Sequence, residues 1–232
     1  MWINKKILVN LKNDIYVIVG RRNVMFIIKF NKSVIITYLG VISAIVAMYF
    51  AFTKMVFSDT CYLRYSLMFL VLAGICDMFD GKFARCCKRT KEEKEFGIQI
   101  DSLADTIDFI CLPIVIMLSL GMNSIIDVLV YSLFAICGIS RLGFFNINAS
   151  LDKPVKFYSG LPVTSTAIIY PVLGLLHGQI SENFFKMVYI SITFIVSILF
   201  IANIKFPKLK GFAYIIVPIL AALLLILLLV IR

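Results

Sequence analysis

The chain has 232 residues, of which 61% are hydrophobic and only 16% are charged. This composition excludes a soluble globular domain and predicts an integral membrane protein. The formal net charge of +10 at pH 7 does not call for a nucleic-acid partner, because basic residues collect beside an anionic membrane leaflet. We therefore expect an all-α fold, a polytopic helix bundle in a lipid bilayer, with no nucleic acid bound.

The chain begins with a basic segment at residues 1–32. Seven Lys and Arg side chains stand there among Ile, Val, Phe and Trp2, and Asp14 is the only acid. This pattern is typical of an amphipathic segment on the cytosolic membrane surface, and a partly disordered basic tail is the alternative. We treat it as a juxtamembrane segment that precedes one membrane domain, residues 33–232.

Apolar stretches of roughly the 20 residues that a bilayer requires follow this segment. We predict about seven transmembrane helices, at residues 34–53, 62–84, 98–120, 124–147, 160–177, 184–203 and 212–231. A cytosolic N-terminus leaves only four of the 23 Lys and Arg residues outside, as the positive-inside rule favours: Lys54, Arg64, Lys186 and Arg232. The predicted location is the cell membrane, with several crossings.

Four carboxylates lie in the second and third predicted spans. Asp77 and Asp80 are spaced i,i+3, and Asp101 and Asp105 are spaced i,i+4, so each pair lies on one helix face. The second span runs toward the cytosol and the third returns from it, which brings the four acids to a similar depth near the cytosolic face. Such buried like charges are either protonated or held together by divalent cations. An ion path of a transporter is the alternative use of such acids.

The acids belong to an ordered run of eight positions: Asp77, Asp80, Gly81, Ala84, Arg85, Gly97, Asp101 and Asp105. The run resembles the signature DxxDGxxAR…GxxxDxxxD of the CDP-alcohol phosphotransferase family. Eleven residues separate Arg85 from Gly97, more than the family usually has. This insert, CCKRTKEEKEF, is highly charged and predicts a longer loop on the solvent side.

The resemblance implies a metal-assisted transfer with two divalent ions, Mg²⁺ or Mn²⁺, which suit hard oxygen ligands. All four aspartates would bind metal, Asp77 would also contact the CDP group, and Asp105 would accept the proton of the acceptor hydroxyl. The remaining residues assigned to the CDP group and its phosphates are Gly81, Ala84, Arg85, Gly97 and, in the first span, Thr37.

Two later segments point to the acceptor. The runs CGISRLGFFNI and KFYSGLPVTSTA resemble the membrane-embedded phosphatidylserine synthases of this family. The resemblance implies CDP-diacylglycerol as donor and L-serine as acceptor, with direct attack of the serine hydroxyl. Glycerol 3-phosphate or inositol phosphate is the alternative acceptor, and a metal or solute transporter is the alternative from another class. The only histidine, His177, is expected in an exposed loop. A homodimer is expected from the resemblance alone.

Candidate acceptor-binding residues follow from these segments. Arg141 can receive the serine carboxylate, and binding a donor phosphate or neutralising the acids is as good an explanation. Lys156 and Tyr158 either rim the same site or anchor the membrane surface. Asn146 either supplies a hydrogen bond or caps a helix end.

Asp108 is a departure from related synthases, which usually have a small or neutral residue there. It lies i+3 from Asp105, so α-helical spacing predicts that it faces the same site. Its carboxylate would either pair with the ammonium group of an amino alcohol or indicate a changed specificity.

Overall fold

The structure, a computed structural model, describes residues 31–150, 157–207 and 213–230. The basic segment predicted at residues 1–32 therefore lies almost wholly outside the described residues. The described helices are α1 (Ile35–Phe57), α2 (Thr60–Cys86), α3 (Lys91–Thr106), α4 (Leu112–Ser119), α5 (Ile125–Ser150), α6 (Thr166–Gly174), α7 (Glu182–Ile201) and α8 (Ala213–Val230). Two short 3₁₀ turns, Lys32–Val34 and Val163–Ser165, precede α1 and α6.

The described chain is helical apart from two three-residue strands, which the sequence did not predict. Strands β1 (Phe157–Ser159) and β2 (Lys205–Pro207) pair antiparallel, with Phe157 opposite Pro207 and Ser159 opposite Lys205. This pairing joins the segment before α6 to the segment after α7.

A helix lies at each predicted span, and the third span is α3 and α4 joined by the π-helical turn Ile107–Cys111. By length and hydropathy, the described stretches able to cross a membrane are Lys32–Phe57, Lys91–Ser119, Ile125–Ile147 and Glu182–Ile201. The apolar helices Val163–Gly174 and Ile216–Val230 are shorter. The helical, membrane-embedded architecture is thus confirmed, while seven crossings and a cytosolic N-terminus stay predictions.

Helices α1 and α2 make the most extensive helix contact. Small residues of α1, Gly40, Ala44, Ala47 and Ala51, are buried at spacings of three or four. Small side chains let two helix backbones approach closely inside a membrane. The Ser43 hydroxyl adds a hydrogen bond of 2.8 Å to the Phe69 carbonyl of α2.

Glycines bring α6 against α2. A Cβ atom at Gly74 of α2 would lie 2.6 Å from the Cβ of Ala167, and one at Gly174 would collide with Leu67. Contacts this close exist only because each glycine lacks a side chain. The start of α6 is therefore held beside the part of α2 that leads to its acidic residues.

The charged insert is largely helical, which corrects the predicted loop. Only residues 87–90 connect α2 to α3, and residues 91–96 form the first turns of α3. The Glu93 amide donates to Thr90 Oγ1 at 3.2 Å, and the Thr90 amide donates to Glu93 Oε2 at 2.7 Å. This reciprocal capping box starts the helix at Lys91. Gly97 and the acids after it therefore lie inside a formed helix.

The close contact at Gly74 generates a prediction about stability. Gly74→Ala should lower the free energy of unfolding by about 1–3 kcal/mol, because the added methyl overlaps a Cβ that cannot rotate away. Thermal unfolding in a neutral detergent measures the effect. Gly143→Ala is the matched control, since no heavy atom lies within 4 Å of its Cβ position. That helical control should gain up to about 1 kcal/mol, and equal midpoints for the two variants would contradict the prediction.

Candidate active site

The aspartates that the sequence pairs on two helix faces do converge. Carboxylate oxygens of Asp77 and Asp80 from α2 and of Asp101 from α3 lie within 4.8 Å of one another. Asp105 lies against Asp77, and its side chain is close enough for a hydrogen bond to that carboxyl group. Asp105 is not part of the group of three, although it was predicted as a fourth metal ligand.

The group of three has the size and chemistry of a divalent cation site. Two ligand oxygens on opposite sides of Mg²⁺, at about 2.1 Å each, are about 4 Å apart. Asp80 is only 6% exposed, and Asp77 and Asp101 are half-buried, so their mutual repulsion is poorly screened by solvent. A bound cation would offset that repulsion, and hard carboxylate ligands fit Mg²⁺ or Mn²⁺.

Thr37 orients one of these carboxylates. Its hydroxyl donates a buried hydrogen bond of 2.9 Å to Asp80 Oδ2. Thr37 was predicted to contact the nucleotide, yet it does not line the cavity beside the acids. Thr37 therefore holds the Asp80 carboxylate in one rotamer through this hydrogen bond.

A cavity of about 420 Å³ opens beside the acids. Its charged wall contains the four aspartates and two cations, Lys82 and Arg85, with Gly81 between them and the acids. Its apolar wall is formed by residues of α2, α5, α6 and α8: Val71, Ile75, Leu142, Phe145, Ala167, Ile168, Val217, Pro218 and Ala221. The cavity therefore suits a molecule with a charged head and an apolar tail.

Arg141 of α5 lines the same cavity and is 8% exposed. Its Nε donates to the Leu161 carbonyl at 2.8 Å, and its guanidinium carbon lies 5.6 Å from the centroid of the Phe145 ring. These contacts fix the guanidinium plane. A rigid planar fork is suited to binding a carboxylate or a phosphate in two places.

The carbonyl that holds Arg141 is itself fixed by the chain around it. The Leu161 amide donates to the Leu199 carbonyl at 2.9 Å, and the Gly160 amide donates to the Ile204 carbonyl at 3.0 Å. Gly160 has φ +78°, and a Cβ there would collide with the Phe200 carbonyl oxygen. Glycine is required here because a side chain fits neither the conformation nor the space.

Several other predicted residues are not among those that line the cavity. Asn146 accepts a hydrogen bond of 2.8 Å from Ser102 and so ties α5 to α3. Ala84 and Gly97 are partly buried, and a Cβ at Gly97 would lie 3.6 Å from Nη1 of Arg89. Lys156 and the side chain of Tyr158 lie outside the described residues.

Asp108 was predicted to face the same site, but it does not line the cavity. It is 3% exposed, and its Oδ2 lies 3.0 Å from the Cβ position of Gly40 on α1. Its Oδ1 has no hydrogen-bond partner among the described residues. Asp108 belongs to the turn Ile107–Cys111, whose π-helical geometry places more residues in one turn than an α-helix does. Residues beyond Asp105 therefore leave the face that α-helical spacing assigns to them.

Sequence reasoning missed part of the cavity wall. Lys82 lines the cavity but was not predicted as a site residue, although its position next to Gly81 was a signal for a cation near the acids. Val217, Pro218 and Ala221 come from the last predicted span, to which no site residue was assigned. No local pattern marks them, because they reach the cavity only through the packing of α8 against α2 and α6.

Comparisons with known proteins agree with this geometry. The family described as CDP-alcohol phosphatidyltransferase matches residues 30–201. A CDP-diacylglycerol–serine O-phosphatidyltransferase of Saccharomyces cerevisiae is 35% identical over 50% of this chain and 44% of its own length. The enzyme of that name from Helicobacter pylori strain 26695 is 31% identical over 67% of this chain and 66% of its own. An archaetidylserine synthase of Methanothermobacter thermautotrophicus is 30% identical over 64% and 60%.

The chain thus spans less than two thirds of the length of these relatives. The family match itself covers most of the chain, including α1 to α7 and every residue of the acidic signature. Its apolar helices and membrane-enzyme relatives make it a multi-pass membrane protein. The resemblance found in the signature residues is confirmed, and the chain belongs to the CDP-alcohol phosphatidyltransferase family.

Proposed function

We propose that this protein transfers the phosphatidyl group of CDP-diacylglycerol to L-serine, releasing CMP. The observation that carries the proposal is a single cavity in which the clustered aspartates and the buried Arg141 meet. The aspartates suit the diphosphate of a nucleotide-activated lipid, and Arg141 suits an acceptor that carries an anion. Serine is such an acceptor. Relatives at 30–35% identity are named as serine O-phosphatidyltransferases or as an archaetidylserine synthase.

The donor would lie along the two walls of the cavity. Lys82 and Arg85 supply positive charge for the diphosphate oxygens. Space for the nucleotide remains at Gly81, where a Cβ would come no closer than 3.8 Å to Arg85. The apolar wall from α6 and α8 would receive the acyl chains, since burying their surface away from water is favourable.

Asp77, Asp80 and Asp101 would hold the divalent cations, two in number if this chain follows its family resemblance. A divalent cation bound there supplies charge neutralisation for the diphosphate and for the oxygen that departs with CMP. Thr37 keeps Asp80 oriented through its hydrogen bond.

Asp105 would act on the acceptor. Its place beside Asp77 keeps it next to the cation-binding group without belonging to it. In the proposed reaction, Asp105 accepts the proton of the serine hydroxyl while that oxygen bonds to the β-phosphorus. The bond from the β-phosphorus to the bridging oxygen breaks, and CMP leaves with that oxygen. Arg141 would hold the serine carboxylate so that the hydroxyl faces the phosphorus.

A second acceptor class competes with serine, because Arg141 also suits a phosphate. Purified protein with CDP-diacylglycerol and Mg²⁺ should release CMP with L-serine and should be near background with glycerol 3-phosphate or inositol phosphate. Release of CMP, measured by chromatography with each alcohol alone, tests this. Release with glycerol 3-phosphate but not with serine would overturn the serine assignment and keep the family's chemistry.

The clustered acids generate the next prediction. Each of the substitutions Asp77→Asn, Asp80→Asn, Asp101→Asn and Asp105→Asn should reduce CMP release at least about a hundred-fold. Each removes a carboxylate that binds the metal or accepts the proton. Activity at saturating Mg²⁺ and the thermal midpoint should be measured together. Asp127→Asn is the matched control, since Asp127 pairs with the Ser124 amide at the start of α5. Near-normal activity in one acidic variant with a native midpoint would exclude that residue from the shared site.

Arg141 generates a prediction that separates acceptor from donor. Arg141→Ala should raise KM for serine about ten- to a hundred-fold, because a charge-assisted hydrogen bond is worth about 1.5–3 kcal/mol. The KM for CDP-diacylglycerol should change far less. Arg141→Lys serves as a comparison that keeps the charge and loses the fork, so its effect should be smaller. Equal increases for both substrates would assign Arg141 to the donor phosphates.

A further inference from the structure

Three of the four cations predicted to lie outside the cytosolic face are close together, and the fourth, Arg232, lies outside the described residues. Lys54 of α1, Arg64 of α2 and Lys186 of α7 all lie close enough to His177 to act on it electrostatically. His177 follows α6, so four separate segments contribute to the group. None of these residues lines the cavity that holds the aspartates.

A second cavity, of about 120 Å³, lies within this basic group. Arg64 and His177 supply its ionisable side chains, and its apolar wall contains Leu63, Leu175 and Leu228. Liquid water occupies about 30 Å³ per molecule, so the volume is enough for a phosphate group. Gly178, with φ +82° and no heavy atom within 4 Å of its Cβ position, leaves one side of the wall open.

This cavity is remote from the aspartates. Arg64 and Asp77 lie on the same helix, and 13 residues at about 1.5 Å each separate them by about 20 Å. The two cavities therefore lie near opposite ends of α2. A ligand in the second cavity does not touch the catalytic groups.

The local charge around the cavity is positive. Among the described acids, Glu182 is the one that acts on His177, and it pairs with Lys186 at 2.8 Å. Lys54 donates to the Ser119 carbonyl at 2.7 Å, a contact that leaves its charge in place. One acid thus opposes three cations in a partly buried environment, where charges are poorly screened.

We propose that Arg64 and His177 bind the phosphodiester of an anionic phospholipid at the end of the bundle opposite the aspartates. Arg64 would hold two phosphate oxygens through its fork, and the His177 ring would donate to one of them. Lys54 and Lys186 add attraction without direct contact. A lipid is favoured over a free ion because the cavity wall is mostly apolar and Leu175 and Leu228 can pack against the first carbons of the lipid.

The single histidine gives a direct test, since a labelled imidazole reports on this cavity alone. Full-length protein with ¹³C-labelled histidine, purified through a tag without histidine, is titrated in a neutral detergent. Dihexanoyl phosphatidylglycerol should produce a saturable shift of the one imidazole ε1 resonance. Dihexanoyl phosphatidylcholine and sodium phosphate should produce little shift at equal concentration. A saturable shift only with the anionic lipid supports the site.

Variants link that shift to the proposed contact. Arg64→Gln should weaken the apparent affinity for phosphatidylglycerol about ten-fold or more, while CMP release stays within about two-fold of the unmodified protein. Lys91→Gln, at a side chain that is 90% exposed, is the control and should leave the affinity unchanged. Arg64→Lys provides a second variant with intermediate affinity if the first does not fold.

Several results would overturn the proposal. The imidazole resonance would not shift, or it would shift equally with the neutral and the anionic lipid. A shift with sodium phosphate as large as with phosphatidylglycerol would also overturn it. So would an unchanged affinity of Arg64→Gln for phosphatidylglycerol. The resonance reports lipid binding without any catalytic turnover. The test of this lipid site is therefore independent of the proposed transfer to serine.

Discussion

The mutual repulsion of carboxylates held in a membrane-embedded bundle is the constraint on which this structure depends. Asp77, Asp80 and Asp101 offer oxygens within 4.8 Å of one another, an arrangement that is unfavourable unless the carboxyl groups are protonated or bind a cation. Two helices must hold these groups in place against that repulsion. Helix α1 contributes by packing closely on α2 and by donating the Thr37 hydrogen bond to Asp80.

Close helix approach is what makes the cavity possible. Small residues let α1 and α6 contact α2 on different sides, at Gly40 and at Gly74. The cavity then opens beside the C-terminal half of α2, with α5 supplying Arg141 and α8 supplying part of the apolar wall. The short β1–β2 pairing and the required glycine at Gly160 fix the carbonyl that orients Arg141. Backbone pairing outside the acidic group thus orients the Arg141 side chain in the cavity that the aspartates line.

Charge is distributed between the two ends of the bundle with different consequences. Near the acids, Lys82 and Arg85 accompany a group of four carboxylates, which suits a polyanionic ligand bound together with cations. At the other end of α2, Lys54, Arg64 and Lys186 lie close to His177, and Glu182 is the one acid among the described residues that acts on it. Among the described residues, carboxylates thus outnumber cations at one end of the membrane domain, and cations outnumber acids at the other.

The sequence by itself determined the helices and the two acidic faces. Apolar runs of bilayer length fix where helices form, and the spacing of Asp77 with Asp80 and of Asp101 with Asp105 fixes which side chains share a face. Only the tertiary structure decided that Asp108 lies beside Gly40 and that Arg141 and α8 meet at one cavity. The physical reason is range: the rotation per residue is set locally by the backbone, whereas a π turn and the meeting of distant helices depend on packing between segments far apart in the chain.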